Sequence, residues 1–316
     1  MAGSVTVALV GAKEIAKELG KKGTASDLTL FNAVRDDHAV TIVEPTQFPE
    51  KLAPLFEALA MADRCLLAVV ELTRPVAEAI AVVDLEDVPT TIVLGPAVGE
   101  AELGRVLKGS RLESAPRVPL DLPQLRTMLE GWSAPARDGP VEVPIDHSFP
   151  VKGVGAVALG VVRRGTLRAH DRLRLYPTGK DVEIRSIQVH DADRKEATSG
   201  ERVGVALRGV DAEEISRGQV LAPPGSLAES STVVGGPLTR CRYYRGDAAA
   251  GAQLHLALGL QVVPASLDRS DATGVTVTAD RPVAIAPGST AYLLDLSVPA
   301  GPRLFARFPT RPPPPG

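Results

Sequence analysis

A chain of 316 residues with a formal net charge of −3 has no global basic field, so any nucleic-acid contact must come from a local patch. Aromatic residues make up only 3% of it, too few for a base-stacking platform of the single-strand-binding kind. The length implies two or three domains, and 44% hydrophobic with 23% charged residues is the balance of an ordinary soluble globular protein.

The opening residues, MAGSVTVALVGAK, lack a basic n-region and a long apolar core, so they read as a buried first strand and not as a signal peptide. Residues 5–11 (VTVALVG) are apolar and β-branched and close on Gly11, as a buried parallel strand does. Residues 12–20 (AKEIAKELG) predict a short amphipathic helix, with Ile15 and Leu19 on one face and Gly20 as its stop. Two strands, 28–34 and 39–43, are joined by Arg35-Asp36-Asp37-His38, short enough for a hairpin. Residues 49–64 predict a helix with Leu52, Leu55, Phe56, Leu59 and Ala60 on one face and Pro49 in its first turn. A strand at 65–71, a helix at 75–83, a strand at 90–94 and helices at 100–107 and 122–129 follow. This alternation predicts a mostly parallel sheet with helices on both faces.

The texture changes at 131–140 (GWSAPARDGP), a linker, after which helical periodicity disappears. Short alternating runs such as Val157/Leu159/Val161, Leu173/Leu175 and Val203/Val205/Leu207, punctuated by glycines, predict a small barrel. A second break at 221–226 introduces another β block, with strands at 254–258, 261–264, 274–278 and 291–294. The proline-rich end, RPPPPG, predicts an extended, mobile tail.

Cys65 opens an apolar run and Cys241 sits between arginines; both read as unpaired thiols in a reducing cytoplasm. The five histidines are scattered without metal-ligand spacing, so no metal site is expected. Residues 65–70, the longest apolar run in the middle of the first domain, fall far short of a membrane span, and a cytoplasmic protein without a membrane partner is expected.

An α/β sheet places its ligand at the carboxyl end of the first strand, here Gly11. A phosphate loop requires G-x-x-x-x-G-K-[ST], because its glycines let backbone N–H groups wrap phosphates, its lysine neutralises them and its hydroxyl holds Mg²⁺. The segment reads GAKEIAKE: Lys17 is present, but Ala16 replaces the second glycine and Glu18 the hydroxyl. The residues alone therefore read as a helix following directly on the strand, without a phosphate cradle.

The β module carries IDHSFPVKGVGAVALGVVRRG, LRLYPTG, VEIRSIQVHD, SGERVGVALRGVD and ISRGQVLAPP, and the last block RCRYYRGDAAAGAQLHLALGLQVVPASL, VTADRPVAIAPGS and AYLLDLS. In these segments and in their order the chain resembles the translational GTPases of the elongation factor Tu superfamily. It is most similar to the selenocysteine-specific elongation factor SelB of archaeal and eukaryotic type. The resemblance implies a multidomain fold, with an α/β P-loop-GTPase-like domain at 1–138 followed by two small β-barrels at 139–225 and 226–316. No counterpart of the family's C-terminal RNA-hairpin-binding domain is expected.

The resemblance also implies that the GTPase motifs are degenerate. The first switch matches at Lys22-Gly23-Thr24-Ala25-Ser26-Asp27-Leu28, with Ala25 at the Mg²⁺-binding Thr and Asp27 retained. The D-x-P-G-H motif falls on Glu44-Pro45-Thr46-Gln47-Phe48, so the metal-site Asp is Glu44 and the water-positioning His is Phe48. The guanine-reading N-K-x-D falls on Gly95-Pro96-Ala97-Val98. Gly11, Lys17, Asp27 and Glu44 are thus remnants of a nucleotide site. A pseudo-GTPase is expected, with no catalytic residue and no cofactor, although GTP and Mg²⁺ are those of the family. A working GTP-binding elongation factor is the alternative, supported by Lys17 and Asp27.

In SelB-like factors a pocket of the second domain takes the aminoacyl end of tRNA, and its residues match Asp146, His147 and Arg202. By themselves, Asp146 and His147 read as an Asx-type turn at the domain entrance, and Arg202 as a surface ion-pair partner; the resemblance is what raises the binding role. Lys152, Arg163 and Arg164, with Arg168, Arg172 and Arg174 nearby, suit RNA-backbone contacts or solvated strand faces. Arg240, Arg242 and Arg245, interleaved with Tyr243 and Tyr244, meet RNA or snorkel between the barrels. The expected partner is tRNA or a ribosomal or other translation component, with no DNA. The alternative is a protein-interaction module acting through the first domain.

Overall fold

In a computed structural model of the chain, which describes residues 3–35 and 38–311, the first part builds one sheet around its opening strand. The elements are β1 (Ser4–Val10), α1 (Ile15–Leu19), β2 (Lys21–Ala25), β3 (Thr29–Arg35), β4 (His38–Glu44), α2 (Ala53–Met61), β5 (Arg64–Val69), α3 (Arg74–Leu85), β6 (Thr90–Leu94), α4 (Glu100–Leu107), β7 (Arg117–Pro119) and α5 (Leu122–Glu130). They form a seven-stranded sheet of order β2-β3-β4-β1-β5-β6-β7. β1 pairs in parallel with β4 and β5, whereas β2, β3 and β4 pair antiparallel. Six of the seven β1 residues are buried, as a strand covered on both faces requires. Val5, Val7, Leu9, Leu66, Leu125 and Leu129 share one core cluster.

Two expectations need correction, and one strand was not foreseen. The first helix starts at Ile15 and not at Ala12, because Gly11 (φ 98°) and Glu14 (φ 79°) are left-handed and break the helical path. Residues 11–14 are therefore a loop between β1 and α1. The second helix is shorter than 49–64: Pro54, not Pro49, occupies its first turn. It ends before Asp63, whose carboxylate and backbone N–H bond the backbone of Thr6 at 3.0 and 2.7 Å and draw the chain into β5. The edge strand β2 was not expected; Lys21, Lys22, Gly23 and Ala25 are exposed, so it carries no hydrophobic alternation.

The second part adds β8 (Val143–Val151), β9 (Gly155–Val161), β10 (Thr166–Arg168), β11 (Arg172–Tyr176), β12 (Lys180–Val189), β13 (Ala192–Arg194), β14 (Glu196–Thr198), β15 (Arg202–Arg208) and β16 (Val220–Ala222). Its main sheet runs β11-β16-β8-β9-β15-β12-β13, and an additional β11–β12 pairing closes the first six strands into a barrel. Val143, Ile145, Leu173, Ile184 and Val205 fill the interior. The last part comprises β17 (Ala228–Gly235), β18 (Thr239–Arg240), β19 (Gln253–Leu258), β20 (Gln261–Asp271), β21 (Gly274–Ile285), β22 (Thr290–Leu294) and β23 (Leu304–Pro309). It is a half-barrel of order β17-β21-β20-β19-β22-β23-β18, in which a Gly235–Thr310 bridge links β17 to the chain just after β23.

By contacts the chain divides into two units: Met1–Ala134 with Cys241–Arg245 and Val298–Arg303, and Pro135–Arg240 with Gly246–Ser297 and Leu304–Gly316. Within the second, Tyr176 packs with Ala222, Leu227 and Ala284, donates its hydroxyl to Pro223 O (3.1 Å) and accepts from Gly225 N (2.6 Å). Among the described residues both cysteines are free and buried, no acidic, His or Cys cluster could hold a metal, and no helix is long and apolar enough to cross a membrane. Asp36 and Asp37 of the expected hairpin loop, and the proline-rich tail from residue 312, lie outside the described residues.

Candidate functional site

Asp146 lies at a β-bulge. On β9, Ile145 pairs with Gly160 and His147 with Leu159, so Asp146 is the extra residue of β8. Gly160 lies between β8 and β15, pairing with Ile145 on one side and Val203 on the other. A Cβ on Gly160 would come 2.4 Å from Pro144 O, so the close approach of the bulged strand requires glycine. Arg202, the first residue of β15, grips Asp146 with both guanidinium ends, Nη1 to Oδ2 at 2.5 Å and Nη2 to Oδ1 at 2.9 Å. The His147 ring places Nδ1 2.7 Å from Asp146 Oδ1. Arg217 Nε donates to the Asp146 carbonyl at 3.1 Å.

The three residues singled out in the barrel thus form one buried constellation. The Asp146 side chain is fully buried, Arg202 is 10% and His147 18% exposed. Burial opposes the charge on Asp146, but Arg202 and the His147 hydrogen bond outweigh it and hold the carboxyl below the usual aspartate range. An ionised carboxylate only accepts, so Nδ1 of His147 carries the proton toward it. His147 Nε2 is then left buried without a hydrogen-bond partner. A buried ring nitrogen with no partner is the one unfilled polar valence of the group.

Sequence reasoning missed two neighbours. His190 sits in the left-handed turn His190–Asp191; burial pushes its pKa down, Glu201 opposes and Arg202 adds to the depression. Its signal was the His-Asp pair between two alternating runs. Arg217 carried no signal, because it reaches the bulge only through the closure of β16 onto β8.

The basic residues proposed for RNA do not form one patch. Lys152 is at the β8–β9 turn, between exposed Phe149 and Val154, and Arg163 and Arg164 follow the other end of β9. Seven residues of β9 separate them, about 20 Å at the usual rise per residue. Arg164 lies 3.6 Å from Glu142, Arg168 3.4 Å from Glu196 and Arg174 2.8 Å from Asp181. Arg240 packs over Phe305 and Arg242 over Tyr243, both at 5.1 Å, and the Tyr243 hydroxyl donates to Val106 O at 3.3 Å.

In the first unit, Gly11 and Glu44 meet, while Lys17 and Asp27 point elsewhere. Gly11 adopts φ 98° where a Cβ would stand 2.3 Å from Ala68 O. A cavity of about 100 Å³ opens there, lined by Gly11, Lys13, Glu44, Phe48 and Thr73 among others. Glu44 is 8% exposed, and its Oε2 has no hydrogen-bond partner. Burial raises its pKa, with Glu14 adding to the rise, while Lys13, a hydrogen bond with the Glu14 backbone and Lys22 pull the other way. Lys17 instead pairs with Glu14 at the surface. Asp27 accepts from the Ser26 hydroxyl at 2.9 Å, and its carbonyl accepts from Gln47 N at 3.1 Å.

Residues 155–222 match the family model of elongation factor Tu domain 2. An uncharacterized protein of Methanocaldococcus jannaschii, MJ0325, is 40% identical over 222 residues, 69% of this chain and 72% of that one. The selenocysteine-specific elongation factor of the same organism is 26% identical over 286 residues, 83% of this chain but 61% of that protein. Among solved structures, translation elongation factor SelB from Methanococcus maripaludis, in complex with the GTP analogue GppNHp, superposes with a TM-score of 0.83. That match covers 98% of this chain and 79% of that one at 18% identity, a likeness of fold. The α/β domain followed by a closed barrel and a half-barrel is the order expected from the sequence.

Proposed function

We propose, for a chain that belongs to the SelB-like branch of the translational GTPase superfamily, that it binds the aminoacyl end of a tRNA in its barrel and does so without a GTP cycle. The observation that carries this reading is the buried Asp146–Arg202–His147 group with its one unfilled valence at His147 Nε2. Arg202 is not a free cation, since Asp146 neutralises it. The polar atom left for a ligand is Nε2, which accepts from an acidic X–H group. A selenol would pass its proton to Nε2, and the resulting selenolate would lie beside an imidazolium and the guanidinium. A serine hydroxyl is too weak an acid to make that transfer.

The residues after β1 do not fit a nucleotide with Mg²⁺. Ala16 and Glu18 stand at the glycine and hydroxyl positions, Glu44 brings a carboxyl into the cavity, and Lys17 is held by Glu14. No chemical step is assigned to that site. Lys152, Arg163 and Arg164 are proposed as separate contacts to RNA phosphates, at the two ends of β9.

Two measurements test the reading. In isothermal titration with GTP or GDP and Mg²⁺ no binding is expected; micromolar affinity would overturn the nucleotide-independent part. In filter binding with charged and deacylated tRNA across a salt series, charged tRNA is expected to bind more tightly, with affinity falling as salt rises. His147→Ala should remove that preference while leaving the Asp146–Arg202 pair in place, a loss of roughly tenfold or 1.4 kcal/mol. Equal affinity for both tRNA forms in the unmodified protein would refute the binding role of the Asp146–Arg202–His147 group.

A further inference from the structure

We infer that Glu44 is an internal anion: its carboxyl takes the place of a ligand's oxyanion in the loop after β1 and makes this cavity refuse phosphates. The inference rests on the nucleotide-independent reading and names the side chain that enforces it. The loop between β1 and α1 holds two left-handed residues, Gly11 at φ 98° and Glu14 at φ 79°, and leads into the cavity. An external anion would need the backbone N–H groups and lysine ammoniums around that loop. Several of those groups already serve the chain. Glu44, at the end of β4, takes a hydrogen bond from the Glu14 backbone and is attracted by Lys13 and Lys22. Lys17, the loop's other cation, is bound to the Glu14 side chain on the outside.

The second oxygen of Glu44 is left unsatisfied. Oε2 is buried without a partner, and Glu44 lines the cavity together with Gly11, Ala12, Lys13 and Thr73. An incoming phosphate oxygen would meet this carboxyl in a half-open cleft with Leu9, Pro45, Phe48, Pro75 and Val76 around it. Like charges in such a space repel far more strongly than in water. Exclusion is therefore built from one side chain, and it is removable.

The test is titration of inorganic pyrophosphate, followed by calorimetry, into the full chain and its variants. Glu44→Ala, which removes both charge and bulk, should bind pyrophosphate at least about tenfold more tightly than the unmodified chain. Glu44→Gln, which keeps the shape and serves if the alanine variant does not fold, should show a smaller gain. Lys13→Ala in the Glu44→Ala background should abolish the gain, whereas Lys17→Ala in that background should preserve it. No gain in a folded Glu44 variant, or a gain indifferent to Lys13, would overturn the inference while leaving the nucleotide-independent reading intact. Binding of GTP by the unmodified chain would instead sink both.

Discussion

Asp146 and Glu44 are two buried acids with opposite consequences for stability. Asp146 has its pKa held down by Arg202 and His147 against burial, so the folded state resists protonating it where the unfolded chain, at about 3.9, does not. Its contribution is therefore fully present above about pH 4 and is lost as pH falls through the depressed folded value. Asp146→Asn should remove that acid limb from urea-denaturation midpoints. It should also cost about 3 kcal/mol at neutral pH by leaving Arg202 buried without its counter-ion. Glu44 runs the other way: burial raises its pKa, so the ionised form is a burden above the folded value and the burden lifts as pH falls. Glu44→Gln should accordingly stabilise the chain by about 1 kcal/mol at neutral pH, with the gain vanishing below about pH 4.3, the ordinary glutamate range. A thermal melt series that showed no gain at neutral pH closing in this way would mean that Glu44 is solvated in the folded state.

At the level of elements, the site depends on a bulge that an alternating sequence pattern conceals. Val157/Leu159/Val161 and Val203/Val205/Leu207 announce strands, and the structure pairs them, Val203 with Gly160 and Val205 with Ala158. A period of two cannot reveal that β8 holds one residue too many at Asp146, so the sequence left Asp146 and His147 readable as a turn. The same limit hid β2, whose exposed lysines have no apolar face, and the delayed start of α1, where left-handed Glu14 follows from no propensity. By contrast the resemblance to SelB-like factors picked out Asp146, His147 and Arg202, which local chemistry alone left undecided. Gly160→Ala tests the element directly. Its Cβ would force Pro144 O back from 2.4 Å, which should cost about 1–3 kcal/mol and move the bulge away from Arg202. The expected signature is a lower melting temperature together with a loss of the preference for charged tRNA. A lower melting temperature with the preference intact would show that the bulge is a packing feature with no part in binding.

On the scale of the whole chain, the first unit is not contiguous, because it draws in Val298–Arg303 from the far end of the sequence. Glu78 on α3 is 8% exposed and would be a costly buried charge by itself. Arg303 satisfies it three times, from its backbone N at 2.8 Å, Nε at 2.9 Å and Nη2 at 2.7 Å, and Nη2 also donates to Pro49 O at 2.9 Å. No local pattern could disclose a pair 225 residues apart, and the helix reading of 75–83 placed Glu78 correctly on α3 without its partner. Arg303→Ala should cost about 3–5 kcal/mol, because it strands the Glu78 carboxylate, whereas Arg303→Met with Glu78→Met should recover most of that loss. The recovery separates the price of an unpaired charge from the loss of packing. A fragment ending at residue 134 should share the defect of Arg303→Ala, and Glu78→Gln in that fragment should restore part of the difference. If Arg303→Ala melted within about half a kcal/mol of the unmodified chain, as a solvated surface pair would, Glu78 could not be buried in solution as it is here.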